Sequence, residues 1–519
     1  MTKTRQHVLL EALSSIDKLA LRRLVLQHTP SERNIVTSHL RDAEHELEDC
    51  EIQIAILLAR RERLLRQVER SKSLLSPINS LPPELLCSGF EHHCERNALR
   101  PDGIPAVSAV SQVSHGWRRI VLSSPRLWSS IHIDFSWWKT DFSNYKLPRI
   151  ARLFMKRSDT VPLRIKLSGG ASSSSLYIME PTLEILTAHS TRWLELDSSD
   201  AHPCIVRNDI FAAVRERVPN LTYLNAGTSE IPWPRVDMPS LSSVIYSPSQ
   251  DLYMNLPLKQ LTDLRMTTSF AQHAVPQLQR CSRVETLELT DIGGYVGTDD
   301  PSHNLQTKMP VLKTLKVTTG DSSDALFPFR HLILPQMTCL KISIGRPHPE
   351  KSSWPMWDEK PMIQTFFHQS PCITTLHLQN LPASDSQVLA MLSLTPMLQD
   401  LLIGDIGQQT FDLGYRWIVN RTVTTSFLRR LLATDSNPAV IIPRLTYLTL
   451  HAQLDRFDTV SLIDMAASRL NPSIAGVVSL KTVEVQLRGH GDLPRDFALM
   501  KPLKDAGLGV KVSKCRNTS

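Results

Sequence analysis

The feature that most restricts this chain is a short apolar pattern that returns ten times between residues 221 and 485. Leu-x-x-Leu-x-Leu, or a close variant, begins at Leu221, Leu241, Leu261, Val284, Leu312, Met337, Ile373, Leu398, Leu445 and Leu480. In seven of the ten a proline stands two residues earlier, at Pro219, Pro239, Pro310, Pro335, Pro371, Pro396 and Pro443. The alternation within each unit predicts one short strand with side chains pointing in and out by turns. One such strand cannot bury its own apolar face. Neighbours must stack, and the chain between them must return by loop or helix, which predicts a curved α/β array. Chance explains a few Leu-x-x-Leu matches in a leucine-rich chain, but not ten with matching prolines. The wide gaps after Ile342 and Ile403 predict insertions. Outward positions such as Thr222, Arg265, Glu288, Lys316, Lys341, His377 and Thr449 are expected to line the face open to a partner.

A second pattern occupies residues 76–135. It opens Ser76-Pro77-Ile78-Asn79-Ser80-Leu81-Pro82-Pro83-Glu84-Leu85-Leu86 and resumes as Val110-Ser111-Gln112-Val113-Ser114-His115-Gly116-Trp117-Arg118-Arg119-Ile120-Val121, closing on Pro125-Arg126-Leu127-Trp128. Proline fixes φ and needs no donor, so a helix can start at the Pro-Pro pair, with Glu84 in its first turn where the dipole favours an anion. Leu81, Leu85, Leu86 and Phe90 predict one apolar face. A second helix is expected from Ala106 to Val121, with Val110, Val113, Trp117, Ile120 and Val121 on a single stripe. Glu95 to Pro105 reads as an insertion between the two. Two short helices cannot enclose all of this apolar surface, and a partner helix is the usual cover. An ordinary helical subdomain without a partner is the plainer alternative. Ile131 to Phe135 alternates as a strand.

The segment before it is helical by periodicity. His7 to Leu26 carries an apolar stripe that Pro30 ends, and a long helix follows to about Leu75. With Leu40 at position a, Leu40, Ala43, Leu47, Cys50, Ile54, Leu57, Arg61, Leu64, Val68, Ser71 and Leu75 fall at a and d, so Arg61 and Ser71 alone break a seam of about five heptads. At 1.5 Å per residue the seam is a rod of about 54 Å. Its flanks are acidic early (Glu44, Glu46, Glu48, Glu51) and basic later (Arg60, Arg61, Arg63, Arg66, Arg70). That polarity suits an antiparallel partner or a helix laced by i,i+4 pairs. Self-association and folding back within the chain both remain open.

Composition narrows the function classes. The 519 residues suffice for several domains with a large core. A net charge of +7 is spread without a dense basic run, so nucleic acid is not expected as a partner. Eight scattered cysteines form no Cys-x-x-Cys, as free thiols in a reducing compartment do. No secretory leader and no membrane span are expected, which leaves cytoplasm or nucleus.

Neither Gly-x-x-x-x-Gly-Lys-Ser/Thr, Gly-x-Gly-x-x-Gly nor Gly-x-Ser-x-Gly occurs. Cys87, His92, His93 and Cys94 cluster, but no second Cys/His pair stands at ligand spacing, so no metal is expected. The triplets at Asn220, Asn420 and Asn517 match the glycosylation acceptor and are expected to be unused. Trp354 and Trp357 read as a loop packed on its domain or as an exposed binding loop. Ser172 to Ser175 reads as a flexible loop. Neither catalytic residues nor cofactors are expected.

Ile-x-x-Leu-Pro-Pro-Glu-Leu-Leu, then Val-x-x-x-Trp-Arg-x-Ile, then Pro-x-Leu-Trp, resembles the F-box of fungal F-box proteins over about sixty residues. The ten-fold pattern resembles, in irregular form, the leucine-rich repeats that F-box proteins often carry. The sequence departs from the F-box pattern at Ser114-His115-Gly116 and in the insertion from Glu95 to Pro105. The resemblance implies an adaptor-binding surface at Ile78, Leu81, Pro82, Glu84, Leu85 and Leu86, supported by Val113 and Trp117. It implies a Skp-type adaptor and a cullin complex as partners, and an unidentified protein target.

The fold expected is therefore mixed. Residues 1–75 form N-terminal helices with a coiled coil, residues 76–135 an F-box subdomain of three-helix type, and residues 136–519 an irregular leucine-rich-repeat-like α/β solenoid. The expected function is substrate recognition in a cullin-RING ubiquitin ligase. The alternative is a non-catalytic coiled-coil scaffold whose F-box is not engaged in ubiquitination.

Overall fold

The computed structural model describes residues 30–101, 103–138, 146–169, 176–202, 214, 218–227, 238–247, 256–267, 271–291, 306–320, 324–345, 360–405, 422–434, 440–489 and 494–515. The stripe from His7 to Leu26, Ser172 to Ser175, Trp354, Trp357, Asn420 and Asn517 lie outside them. The chain divides into two compact units, Met1–Leu86 and Cys87–Ser519.

In the first unit, helix α1 spans Pro30–Leu74, starting on the proline that needs no backbone partner there. Its seam faces solvent. Leu40, Leu47, Ile54, Leu57, Leu64 and Val68 are all exposed, Leu47 and Leu57 at 61%. A single turn of 3-10 helix over Pro77–Ser80 follows, held by Ser80 Oγ donating to the Pro77 carbonyl at 2.6 Å. Helix α2 covers Pro83–His93, beginning in the first unit and continuing past Leu86 into the second, with Glu84 in its first turn as the dipole favours.

The second unit is built on one parallel sheet of fifteen strands. Its strands are β1 (Ala98–Leu99), β2 (Ser130–Asp134), β3 (Leu163–Gly169), β4 (Trp193–Ala201), β5 (Tyr223–Gly227), β6 (Ser243–Tyr246), β7 (Asp263–Thr267), β8 (Thr286–Thr290), β10 (Thr314–Thr319), β12 (Cys339–Ile344), β13 (Thr375–Gln379), β14 (Asp400–Gly404), β15 (Tyr447–Gln453), β16 (Thr482–Arg488) and β17 (Gly509–Cys515). They pair in chain order from end to end, while β9 (Thr307–Lys308) and β11 (Leu332–Ile333) form a separate two-stranded sheet. Helices α3 (Ala106–Ser111), α4 (His115–Ser123), α5 (Lys146–Ser158), α6 (Leu176–Thr187), α7 (Ala271–Leu278), α8 (Phe327–His331), α9 (Lys360–Gln369), α10 (Asp385–Leu392), α11 (Thr425–Arg430), α12 (Thr459–Leu470) and α13 (Lys501–Asp505) lie in the connections.

All ten repeat units enter a strand two residues after their first apolar residue. The three apolar positions of a unit form rows across the sheet: Leu312, Leu315 and Val317 are fully buried, and so are Leu398, Leu401 and Ile403. The offset prolines have a geometric cause. In Val218-Pro219-Asn220-Leu221 the Leu221 N–H donates to the Val218 carbonyl, and Leu241, Leu312, Met337, Leu398 and Leu445 close the same turn on the residue before their own proline. Proline sits second in such a turn because its φ is already set. The second position of the units adds a ladder, since Ser242, Thr262, Thr374 and Thr446 each donate both N–H and Oγ to a carbonyl of the preceding unit. Thr222 belongs to this ladder, donating to the Leu194 carbonyl at 3.0 Å, rather than to the outward row expected for it.

Two further expectations changed. The segment from Glu95 to Pro105 contributes β1, which pairs with β2, so the sheet begins inside residues 76–135. The single helix expected from Ala106 to Val121 is two. Ser114 adopts an extended conformation and its side chain accepts the Trp117 N–H at 3.1 Å, which makes it the N-cap of α4 and leaves Val113 in the break. Among the described residues no helix is long and apolar enough to cross a membrane.

Candidate functional site

Two surfaces present functional groups in patterns the core does not explain. The first is the Leu-Pro-Pro-Glu-Leu-Leu edge in the first unit. Leu85 and Leu86 both donate their N–H to the Pro82 carbonyl, so the start of α2 is fixed by the residue just before it. The side chains then divide sharply. Ile78 is 39% exposed, Leu81 42% and Leu85 59%, beside exposed Pro82, Pro83 and Glu84, while Leu86 is half-buried. Three apolar residues held on a short, proline-stiffened helix start cost little further ordering when a partner covers them.

Val113 and Trp117 belong to the second unit, and they behave differently from each other. Trp117 is half-buried and packs on Phe90, ring centroids 4.6 Å apart at 53°, so it helps fix α4 against the end of α2. Val113 is 61% exposed in the turn before Ser114. Behind them a buried asparagine that no sequence pattern singled out ties the region together. Asn97 donates to the carbonyls of Leu127 (2.8 Å) and Ser130 (3.2 Å) and accepts the Val107 N–H at 3.0 Å. One side chain thereby joins the loop before β1, the start of α3 and the entry to β2. Trp128 is buried, with its indole N–H on the Val121 carbonyl at 3.0 Å.

The second surface is the outward side of the sheet. Register aligns one row through His132, Lys166, Asp197, Asn225, Ile245, Arg265, Glu288, Lys316, Lys341, His377, Leu402, Thr449, Glu484 and Lys511. Arg265, Glu288, Lys316, Lys341, His377 and Thr449 thus lie in the single line expected of them. Much of the row neutralises itself: Lys166 meets Asp197 at 3.3 Å and Asp200 at 3.1 Å, and Glu288 holds both Arg265 and Lys316 at 2.6 Å. Lys511 meets Glu484 at 2.8 Å, and His377 lies 3.2 Å from Asp400. Lys341 has no acidic partner among the described residues.

Burial, and then the Lys166 ammonium, hold the His132 imidazole below its usual range; burial and then Arg488 do the same for His451. Burial pushes the Cys94 thiol up to about 11 and the Cys281 thiol up to about 12, so neither is a thiolate at neutral pH. The Cys87 to Cys94 cluster disperses: Cys87 Sγ meets Ser124 Oγ at 3.4 Å, Cys94 is buried, and His92 faces Glu95 at 3.7 Å. Among the described residues no group of three or more His, Cys, Asp or Glu side chains is placed to hold a metal ion. No protein-family model matches the chain, and no curated protein matches it.

Proposed function

We propose that this chain is the target-recognition subunit of a cullin-RING ubiquitin ligase, gripping a Skp-type adaptor with its F-box-like stretch and a protein target with the outward side of the sheet. The observation that carries the proposal is the exposure of Ile78, Leu81 and Leu85 within the very run that gives the F-box resemblance. A core helix of ordinary type would turn those residues inward. On this reading the sheet is an irregular leucine-rich-repeat solenoid of the cytoplasm or nucleus, and its outward row supplies side chains of both signs for target contacts. The chain itself adds no catalytic group; acceleration comes from holding the target near the ubiquitin-loaded enzyme.

The test is a pull-down of purified Skp-type adaptor with the wild-type protein and a Leu81→Ala, Pro82→Ala, Leu85→Ala variant. The expected result is binding by the wild type and a loss of at least tenfold in the variant, as for anchors at an interface centre. No binding by the wild type sinks the proposal. A second reading, a coiled-coil scaffold outside ubiquitination, is favoured by one observation, the solvent-facing seam of α1.

A further inference from the structure

We infer that α1 is the pairing arm of an antiparallel homodimer, covering its seam with α1 of a second copy in a register that sets Leu47 opposite Leu64 of the partner subunit. The inference does not depend on adaptor binding. It starts from the exposure of an apolar stripe along most of α1: besides the a and d positions, Leu58 and Leu65 at position e are 57% and 47% exposed. A helix with such a stripe is stable when something covers it.

Charge identifies the occupant. The first half of α1 carries Glu32, Asp42, Glu44, Glu46, Glu48, Asp49 and Glu51 against Arg33 and Arg41; the second half carries Arg60, Arg61, Arg63, Arg66, Arg70 and Lys72 against Glu62 and Glu69. If these groups served to lace the helix internally, pairs would run along it. Among the described residues of α1, Glu62 with Arg66 is the one ion pair, and the acidic half contributes none. A second copy laid antiparallel brings each acidic half against a basic half. A parallel copy sets the acidic half against the acidic half and the basic half against the basic half.

Register sharpens the choice. Antiparallel coiled coils stack an a residue on a d residue, and one such register serves every layer of the central seam. It sets Leu47 on Leu64 of the partner subunit, Ile54 on Leu57 of the partner subunit, and Cys50 on Arg61 of the partner subunit. The break at Arg61 then has a cause, because the guanidinium enters a layer whose neighbours in sequence, Asp49 and Glu51, are acidic. In a parallel dimer two Arg61 side chains would share one core layer, and two Cys50 thiols another.

Length argues against the rival cover, the apolar stripe before Pro30. That stripe has twenty residues, about 30 Å as a helix, against about 67 Å for the 45 residues of α1. Folding back from Pro30 it would reach the acidic half only, leaving Ile54 to Val68 uncovered. A second copy covers the full seam.

The test uses the full-length protein. Light scattering on a sizing column should give twice the chain mass of 58.5 kDa at micromolar concentration. Leu57→Lys with Leu64→Lys should weaken self-association at least tenfold while the circular dichroism of the sheet stays unchanged. For orientation, two variants in a Cys50→Ser background, one Leu47→Cys and one Leu64→Cys, are mixed and oxidised. A disulfide joining positions 47 and 64 of different chains, mapped by peptide mass spectrometry, is the expected product. A Cys50-to-Cys50 disulfide formed readily in the wild type would overturn the antiparallel arrangement. A monomer at tens of micromolar would overturn the dimer.

Discussion

Helix α1 and the fifteen-stranded sheet are both written in leucine, yet the two use it in opposite ways. In the sheet Leu315, Leu376 and Leu401 are fully buried by the strands on either side. In α1, Leu47 and Leu57 are 61% exposed. A parallel strand finds its neighbour one repeat further along the same chain, so local sequence completes its core. A lone helix of 45 residues has no such neighbour among the described residues of its unit and must recruit one.

The largest effect expected from this contrast is a matched pair of truncations. Leu315→Ala should cost about 3 kcal/mol of the sheet's stability, within the range for a buried leucine that leaves a cavity. Leu57→Ala should leave that transition unmoved within about 0.5 kcal/mol, because Leu57 lies outside the sheet's unit and shares no partner with Leu315. Chemical denaturation followed through tryptophan fluorescence compares them. Equal losses would mean that α1 and the sheet unfold as one body, and the contrast would be false.

Next in size is Arg469, whose guanidinium is buried and donates to the carbonyls of Leu431, Ile442 (3.1 Å) and Ile441 (2.7 Å), joining α12 to the two segments before β15. Burial lowers its pKa to about 10, still far above neutral, so the group remains charged and its bonds charge-assisted. Arg469→Met should cost about 2 kcal/mol, because three carbonyls lose their donor inside the protein. An unchanged denaturation midpoint would show that water replaces the guanidinium at no cost.

Asp458 caps α12 by accepting the Ser461 N–H at 2.9 Å, and it also takes hydroxyls from Ser461 and Thr425, both at 2.8 Å. That backbone bond is the main reason its carboxyl titrates below the usual range. Asp458→Ala should cost about 1 kcal/mol at pH 7, the ordinary worth of an N-cap. The sign in pH follows from linkage: a depressed carboxylate stabilises above its unfolded pKa and loses that contribution as pH falls through the folded value. His132 and His451, held below their usual range, act in the same direction at higher pH, binding fewer protons folded than unfolded. Stability should therefore decline first as pH drops below the ordinary histidine range, and again below the carboxylate range, where the wild type and Asp458→Ala should converge. A constant difference between them down to pH 2 would remove the capping role.

The repeat was legible because each unit carries its own instruction: proline for the turn, then apolar residues at fixed offsets. Five strands of the fifteen-stranded sheet lack the repeat pattern. In β4 Trp193 replaces the leading leucine, although it is as buried as any leucine it stands for. In β3 the apolar residues alternate at Leu163, Ile165 and Leu167 without the Leu-x-x-Leu interval, and β1 has two residues, too few for any period. The break at Ser114 was hidden because Val110, Val113 and Trp117 fit helical spacing whether or not a cap interrupts them. Asn97 was invisible, since its value lies in three backbone groups brought together from far along the chain. At the candidate adaptor surface, sequence named the residues, but their outward orientation belongs to packing.

The smallest effect tests whether the outward side of the sheet is the opposite of its inner side. Glu288 sits between Arg265 and Lys316, both at 2.6 Å, with the two cations close to half-exposed. Each pair gains Coulomb energy in a solvent-rich setting and holds two long side chains still, so the net worth of such contacts is small. Glu288→Gln should cost about 0.5 to 1 kcal/mol at low ionic strength, and less at about 1 M salt, where screening acts over a few ångströms. Leu289, next in the same strand and fully buried, should when changed to alanine cost several times more at either salt concentration. That ratio within one dipeptide separates the two faces: the inner row holds the fold, and the outer row is left chemically adjustable. A Glu288→Gln loss as large as that of Leu289→Ala would make the ion-pair row structural, and the outward side would lose its claim to be the target-binding face.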